Sequence, residues 1–271
     1  PLDKKIKILV TGPTANSINY LNGAWSRTWS GIETEYNDPD ELTILEAIQS
    51  KLGKELVEFE EGTVIFEEKN IPQAIRAAKK SDVIIACLGE QPATEKPSDI
   101  DNLELPEAQL KLIEELSTTG KPIIAILVQG RPRVFSEVEN LIQGIIMAYL
   151  PGQEGGKAIA DIIFGDVNPS GRLPYTYPRY TGSLWTYNHK ASDALDENFG
   201  LEAFNPLFEF GEGMSYTEFS YSEPELSTDT LTGNDTLRIQ INVSNTGDVF
   251  GKEVVQLYYR DLVASIVPNV K

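Results

Sequence analysis

Short apolar runs recur along the first half of the chain: KIKILV (Lys5–Val10), VIIACL (Val83–Leu88), IIAILV (Ile123–Val128) and IIMAYL (Ile145–Leu150). Patterns of helical period separate them. A strand that is apolar on both of its faces must be covered on both, and a parallel sheet between helix layers does this. Parallel neighbours also need a long crossover, usually a helix. The spacing predicts helices over Asp38–Leu52, with Leu42, Leu45, Ile48 and Leu52 near helical spacing, and from an Asn70 cap, with Ile71, Ala74, Ile75 and Ala78 on one face. Two more are predicted from Pro106 to about Leu116, stopped by Gly120, and over Gln153–Phe164. A short strand is predicted at Glu55–Glu60. The fold class is α/β: a doubly wound, mostly parallel sheet flanked by helices, or α/β sandwich.

After Gly165 the texture changes. Pro169, Pro174, Pro178 and Pro206 mark an irregular segment reaching Ser215. From Tyr216 it changes again: TLRIQINV (Thr236–Val243) alternates, with Leu237, Ile239, Ile241 and Val243 on one face, and a turn at Asn245–Asp248 precedes a strand pattern over Glu253–Arg260. An antiparallel β-sandwich takes about 100 residues, and roughly half of that follows Tyr216. The expectation is therefore one α/β domain over 1–215 and a truncated antiparallel β-sandwich segment over 216–271. A small two- or three-stranded sheet is the plainer alternative.

A net charge of −18 argues against nucleic acid and against an anionic membrane surface, both of which are gripped by Lys and Arg. The apolar runs are too short to cross a bilayer. Cys87 is the only cysteine and His189 the only histidine. That excludes an intrachain disulfide and a Cys/His zinc site. A Ser-His-Asp triad would have to use His189, and nothing near it resembles a nucleophile turn. The chain opens on Pro1 and soon enters a strand, which suggests either a piece of something longer or a processed N-terminus.

Two loops carry chemistry. The segment from Leu88 to Pro106 is too long and polar for a plain strand-to-helix connection. It holds Glu90, Glu95, Asp99, Asp101 and Glu104 at what would be the C-terminal edge of the sheet, where ligands bind in open α/β folds. The segment Asn22–Gly31, NGAWSRTWSG, places Trp25 and Trp29 in a Gly/Ser-rich loop at the same edge. A flat, amphipathic indole suits the apolar face of a sugar ring, and core packing is the alternative. VTGPTAN (Val10–Asn16) lacks the glycine spacing and lysine of a phosphate loop, so its glycine reads as a tight turn.

The segments NGAWSRTWSG, GEQPATEKPSD (from Gly89), QGRPRV (from Gln129), LPGQEGGKAIADIIFGDVNPSGRLPYTYP (from Leu150) and PLFEFGEGMSYTEF (from Pro206) occur in order along the whole chain. Together they resemble glycoside hydrolase family 3, in its β-glucosidase and exo-glucanase branch. The resemblance implies the family's α/β sandwich domain and the start of a fibronectin-III-like domain, with the N-terminal barrel and its nucleophile aspartate elsewhere. In the motif G-E-x-P-x-x-E it makes Glu95 the general acid/base, with Glu90 a weaker candidate. It makes Trp29 the indole that stacks on the sugar beyond the scissile bond, and Trp25 its accessory. Ala93 and Lys96-Pro-Ser-Asp depart from some relatives, which bears on the conformation of the loop.

The implied activity is retaining hydrolysis of terminal β-D-glucosyl residues. The implied partners are a β-glucoside or β-glucan oligosaccharide and the barrel domain, with no metal or other cofactor. A homodimer is left open, and a periplasmic or secreted location follows from the resemblance alone. Without the barrel, the isolated chain is expected to be inert and its acidic loop exposed.

Overall fold

The computed structural model describes residues 1–183 and 205–259; His189 lies outside the described residues. Its centre is a five-stranded parallel sheet in the order β2-β1-β3-β4-β5, formed by β1 (Ile8–Thr11), β2 (Val57–Glu60), β3 (Val83–Gly89), β4 (Ile123–Val128) and β5 (Gly144–Tyr149). β3 is central and buried at every residue, and β5, at an edge, is half-buried throughout. This is the expected doubly wound layer, with strand bounds within three residues of those read from periodicity.

Alternate strand residues feed two cores. Ile8, Val10, Ile85 and Cys87 pack with Leu45 and Ile48 of α2 (Ile44–Leu52) and with Ile159 and Ile163 of α5 (Gly155–Ile163). Leu9, Ile84, Ala86 and Leu88 pack with α3 (Ile71–Ala78) and α4 (Glu107–Ser117). The short α1 (Ile18–Asn22) follows β1, and its Leu21 joins the first core.

Helix α2 begins at Ile44, later than the predicted Asp38. Thr43 and Glu46 form a reciprocal capping box: the Glu46 N–H donates to Thr43 Oγ1 at 3.1 Å and the Thr43 N–H to Glu46 Oε2 at 2.9 Å. That pairing ends the run of unpaired helical amides and sets the boundary. At α3, Asn70 occupies the cap position without a side-chain cap bond.

The described part of the proline-rich segment is irregular in backbone and packed against the sheet. Tyr177 is fully buried, pairs in an antiparallel bridge with Phe208, and lies edge-on to Phe135. Tyr175, Tyr177, Leu207 and Phe208 thereby cover the α3/α4 side of the sheet.

The predicted continuous strand over Thr236–Val243 is broken in two. β6 (Phe219–Tyr221) pairs with β9 (Val243–Asn245), and β7 (Glu225–Leu226) with β8 (Ile239–Gln240). Between these ladders, four steps from Tyr221 to Glu225 oppose three from Val243 to Gln240. The register slips at Pro224, which has no N–H to donate. Residues 253–259 form no strand, correcting the Glu253–Arg260 reading. A strand exists only by pairing, and among the described residues no neighbour pairs with them. What is present is a pair of short antiparallel ladders, with Ile239 and Val243 half-exposed.

Candidate active site

The strand order has its switch point between β1 and β3, where successive crossovers leave in opposite directions and open a crevice at the C-terminal strand ends. The two loops picked out from sequence follow these two strands. Close contact holds the strand ends together. Gly12 has φ +96°, and a Cβ there would lie 2.2 Å from the Cys87 carbonyl oxygen. Thr14 donates to the next carbonyl, Leu88 O, at 3.3 Å.

The loop after β1 is folded on itself by one backbone bond, from Trp25 to Trp29, and by polar side chains. Trp25 N–H donates to Trp29 O at 3.3 Å, Ser30 donates to Glu33 at 2.9 Å, and Arg27 pairs with the buried Glu41 and reaches Gln153 at 2.8 Å. Trp25 and Trp29 are left 68% and 45% exposed. Exposure of two indoles side by side is unlike core filling. Both reach the other loop: Trp25 Nε1 donates to Thr94 Oγ1 at 3.0 Å, and Trp29 Nε1 donates to Glu95 Oε1 at 3.3 Å. Of the five acidic residues in the second loop, Glu95 is therefore the one brought against the tryptophans.

Among the described residues three non-glycine residues have positive φ: Trp25 at 60°, Glu95 at 53° and Tyr149 at 55°. Trp25 and Glu95 lie on the switch-point loops, and Tyr149 ends β5 at the same edge. With ψ −165°, Glu95 occupies a region almost reserved for glycine. Such strain costs about 1–3 kcal/mol per residue and collects at functional sites.

Glu90 is placed differently. It is 3% exposed and lies beneath the loop, with Arg131 Nη2 at 2.7 Å and Arg133 Nη2 at 2.8 Å from Oε2. The backbone N–H groups of Gly130 and Arg131 donate to Oε1 at 3.0 and 3.1 Å. Burial pushes its carboxyl upward, but the Arg131 hydrogen bonds and the Arg133 and Arg131 charges outweigh it. The group is held below its ordinary value. Asp99, Asp101 and Glu104 instead border an open hollow of about 690 Å³ with Phe66 and Ile100.

Sequence reasoning did not assign roles to Arg131, Arg133 or Gln109. Gln109 is fully buried in α4, accepts from Gly89 N–H at 2.9 Å and donates to Gly89 O at 2.9 Å. A buried amide on an amphipathic helix was the available signal. Among the described residues no group of three or more His, Cys, Asp or Glu side chains is placed to hold a metal. No described helix is long and apolar enough to cross a membrane.

The chain is thus a doubly wound α/β domain in which a carboxylate in a strained backbone conformation meets an exposed indole at the switch point. Comparison with known proteins gives the family. Residues 1–216 match the glycosyl hydrolase family 3 C-terminal domain, and the chain belongs to glycoside hydrolase family 3. It is 39% identical to a lysosomal beta glucosidase of Dictyostelium discoideum over 97% of this chain and 34% of that protein. It is 33% identical to a periplasmic beta-glucosidase of Salmonella typhimurium over 100% of this chain and 39% of that protein. The crystal structure of a beta-glucosidase from Listeria innocua in complex with isofagomine superposes with a TM-score of 0.86, at 29% identity, over 99% of this chain and 38% of that one. The chain thus spans between a third and two-fifths of the length of these relatives.

Proposed function

We propose that this chain supplies the acid/base half of a retaining β-glucosidase. Glu95 is the general acid/base, Trp29 the stacking surface for the sugar beyond the scissile bond, and Trp25 its accessory. The nucleophile aspartate belongs to a separate barrel domain. The observation that carries the reading is the meeting of the Trp29 indole with the Glu95 carboxylate at 3.3 Å across the switch point.

A retaining glycosidase needs two carboxyl groups about 5–5.5 Å apart. In the first step the partner aspartate attacks the anomeric carbon while Glu95 gives its proton to the departing oxygen. In the second, Glu95 takes a proton from water, which displaces the aspartate. Trp29, lying beside Glu95, places the leaving sugar so that its oxygen faces that carboxyl. Alignment of this kind is worth orders of magnitude in rate. The substrate class is a β-glucoside or β-glucan oligosaccharide, and a periplasmic or secreted location is part of the same reading.

With one carboxylate of the pair, the isolated chain should not turn over an aryl β-glucoside. Joined to the nucleophile-bearing domain, it should hydrolyse aryl β-glucosides faster than aryl β-xylosides. Glu95→Gln should then cost at least about 100-fold with poor leaving groups, the usual scale of general acid catalysis, and much less with activated ones. Equal losses on both would remove Glu95 from the role. The exposure of both indoles also fits a non-catalytic carbohydrate-binding module. Sugar binding by calorimetry, with full activity retained in Glu95→Gln, would select that reading.

A further inference from the structure

We propose that Glu90, Arg131 and Arg133 form a buried clamp that positions the acid/base loop, so that Glu90 acts on the reaction through Glu95 and touches neither sugar nor proton. The inference rests on the assignment of Glu95 as the acid/base.

The clamp begins at the end of β3. Glu90 N–H donates to Val128 O at 3.1 Å, which extends the β3–β4 ladder by one residue and points the side chain toward the turn after β4. Both carboxylate oxygens are then occupied. Oε1 accepts the Gly130 and Arg131 backbone N–H groups. Oε2 accepts Arg131 Nε and Nη2 at 3.1 and 2.7 Å and Arg133 Nε at 2.9 Å. A carboxylate with this many charge-assisted donors has no lone pair left to present to a substrate.

Each guanidinium uses its remaining donors on the catalytic loop. Arg131 Nη1 donates to Ser98 O at 2.6 Å. Arg133 Nη1 reaches Asn102 O at 3.3 Å and Glu104 O at 3.4 Å. Ser98 belongs to the turn that carries the acid: its N–H donates to Glu95 O at 3.0 Å, and its hydroxyl accepts Thr94 N–H at 2.9 Å. A direct line of hydrogen bonds therefore runs from Glu90 through Arg131 and Ser98 to Glu95. Farther along, Val134 and Leu105 stitch the returning loop to the same turn, through Val134 N–H to Leu103 O at 2.9 Å and Leu105 N–H to Val134 O at 2.7 Å.

The physical need is plain. Glu95 sits on an exposed loop in a backbone conformation that a free loop would leave, and only surrounding contacts hold such a residue in place. A carboxyl that must meet a glycosidic oxygen cannot wander by an ångström without loss of rate. The arginine fork suits this work because its rigid, planar set of donors holds Glu90 and a loop carbonyl at fixed angles, where a lysine offers a flexible point charge.

Arg131→Met is the principal test, because this side chain is 28% exposed and its loss does not strand a fully buried charge. In the chain itself, hydrogen exchange of residues 95–104 should accelerate at least about 10-fold, while β3 and β4 amides keep their rates. Unchanged exchange in that loop would overturn the clamp. Joined to the nucleophile-bearing domain, Arg131→Met should lose at least about 10-fold more kcat with a poor leaving group than with a dinitrophenyl glucoside, and Arg131→Lys should restore little. Glu95→Gln is the reference. If Glu95→Gln shows this split and Arg131→Met does not, the clamp is wrong. If Glu95→Gln shows no split, the acid assignment fails, and the exchange result judges the clamp alone. Glu90→Gln, where it folds, should repeat the Arg131→Met pattern.

Discussion

The indole N–H of Trp29 donates to Glu95 Oε1 at 3.3 Å, joining residues 66 positions apart. One stands on the loop after β1 and the other on the loop after β3, and the sheet order makes those loops neighbours. The N–H edge of the indole meets the carboxylate, and Trp29 is 45% exposed.

Trp29 should therefore matter through its ring more than through its N–H. Trp29→Ala is expected to raise KM for a β-glucan oligosaccharide about 10-fold, equivalent to roughly 1.4 kcal/mol, and Trp29→Phe about 3-fold, since a smaller ring keeps part of the stacking surface. Steady-state kinetics on the joined enzyme decides it. Equal effects of Ala and Phe would deny the stacking role.

Glu95 holds its backbone at φ 53°, ψ −165°. Glycine there removes about 1–3 kcal/mol of strain and gives back about 0.5–1 kcal/mol in unfolded-chain entropy. Glu95→Gly should therefore stabilise the chain by about 1 kcal/mol in urea unfolding while abolishing activity with poor leaving groups. A destabilised variant would show that the conformation is not strained.

Gly89, the last residue of β3 before the acid loop, has φ +144°, and a Cβ there would lie 1.8 Å from Val128 O. The obstacle is backbone, which cannot swing aside. Gly89→Ala should cost about 3 kcal/mol or more by urea unfolding, within the range of severe core changes. Gly120, at φ +70° with nothing within 4 Å of a Cβ, is the control, and Gly120→Ala should cost only about 1 kcal/mol.

Glu90 should leave a mark on acid stability. Burial raises its carboxyl and the arginines lower it further, so the folded value lies below the unfolded one. Its stabilisation is then complete above the unfolded value of about 4.3 and is lost as pH falls through the folded value. Thermal unfolding of the native chain and Glu90→Gln should differ most at neutral pH, by about 3–5 kcal/mol for a broken buried pair. The gap should narrow below about pH 4. A gap that widens in acid would reverse the sign.

The layer architecture was legible because its signals are local. Strands at Ile8, Val83, Ile123 and Gly144 announce themselves by β-branched runs apolar on both faces, and helices by their period. The start of α2 was missed by six residues, although Thr43 and Glu46 carry the cap in plain spelling. The Thr236–Val243 reading failed because alternation does not say whether a partner keeps register, and Pro224 on the opposing strand breaks it. Glu95 and Trp29 were reached through motif resemblance, whereas the arginines beneath them carried no periodic signal.

What the sequence determined by itself is the order of the sheet strands and their four main helices, the two loops at one sheet edge, and the family, because each is written in contiguous residues. What only the tertiary structure decided is which carboxylate meets the indole and which is buried. Glu90 and Glu95 are the same side chain five positions apart. One is drawn down by Arg131 and Arg133 from the next strand's turn, and the other is lifted to Trp29 from the first strand's loop. Those partners lie some forty to seventy residues away in sequence, so only the sheet's crossover order brings them close.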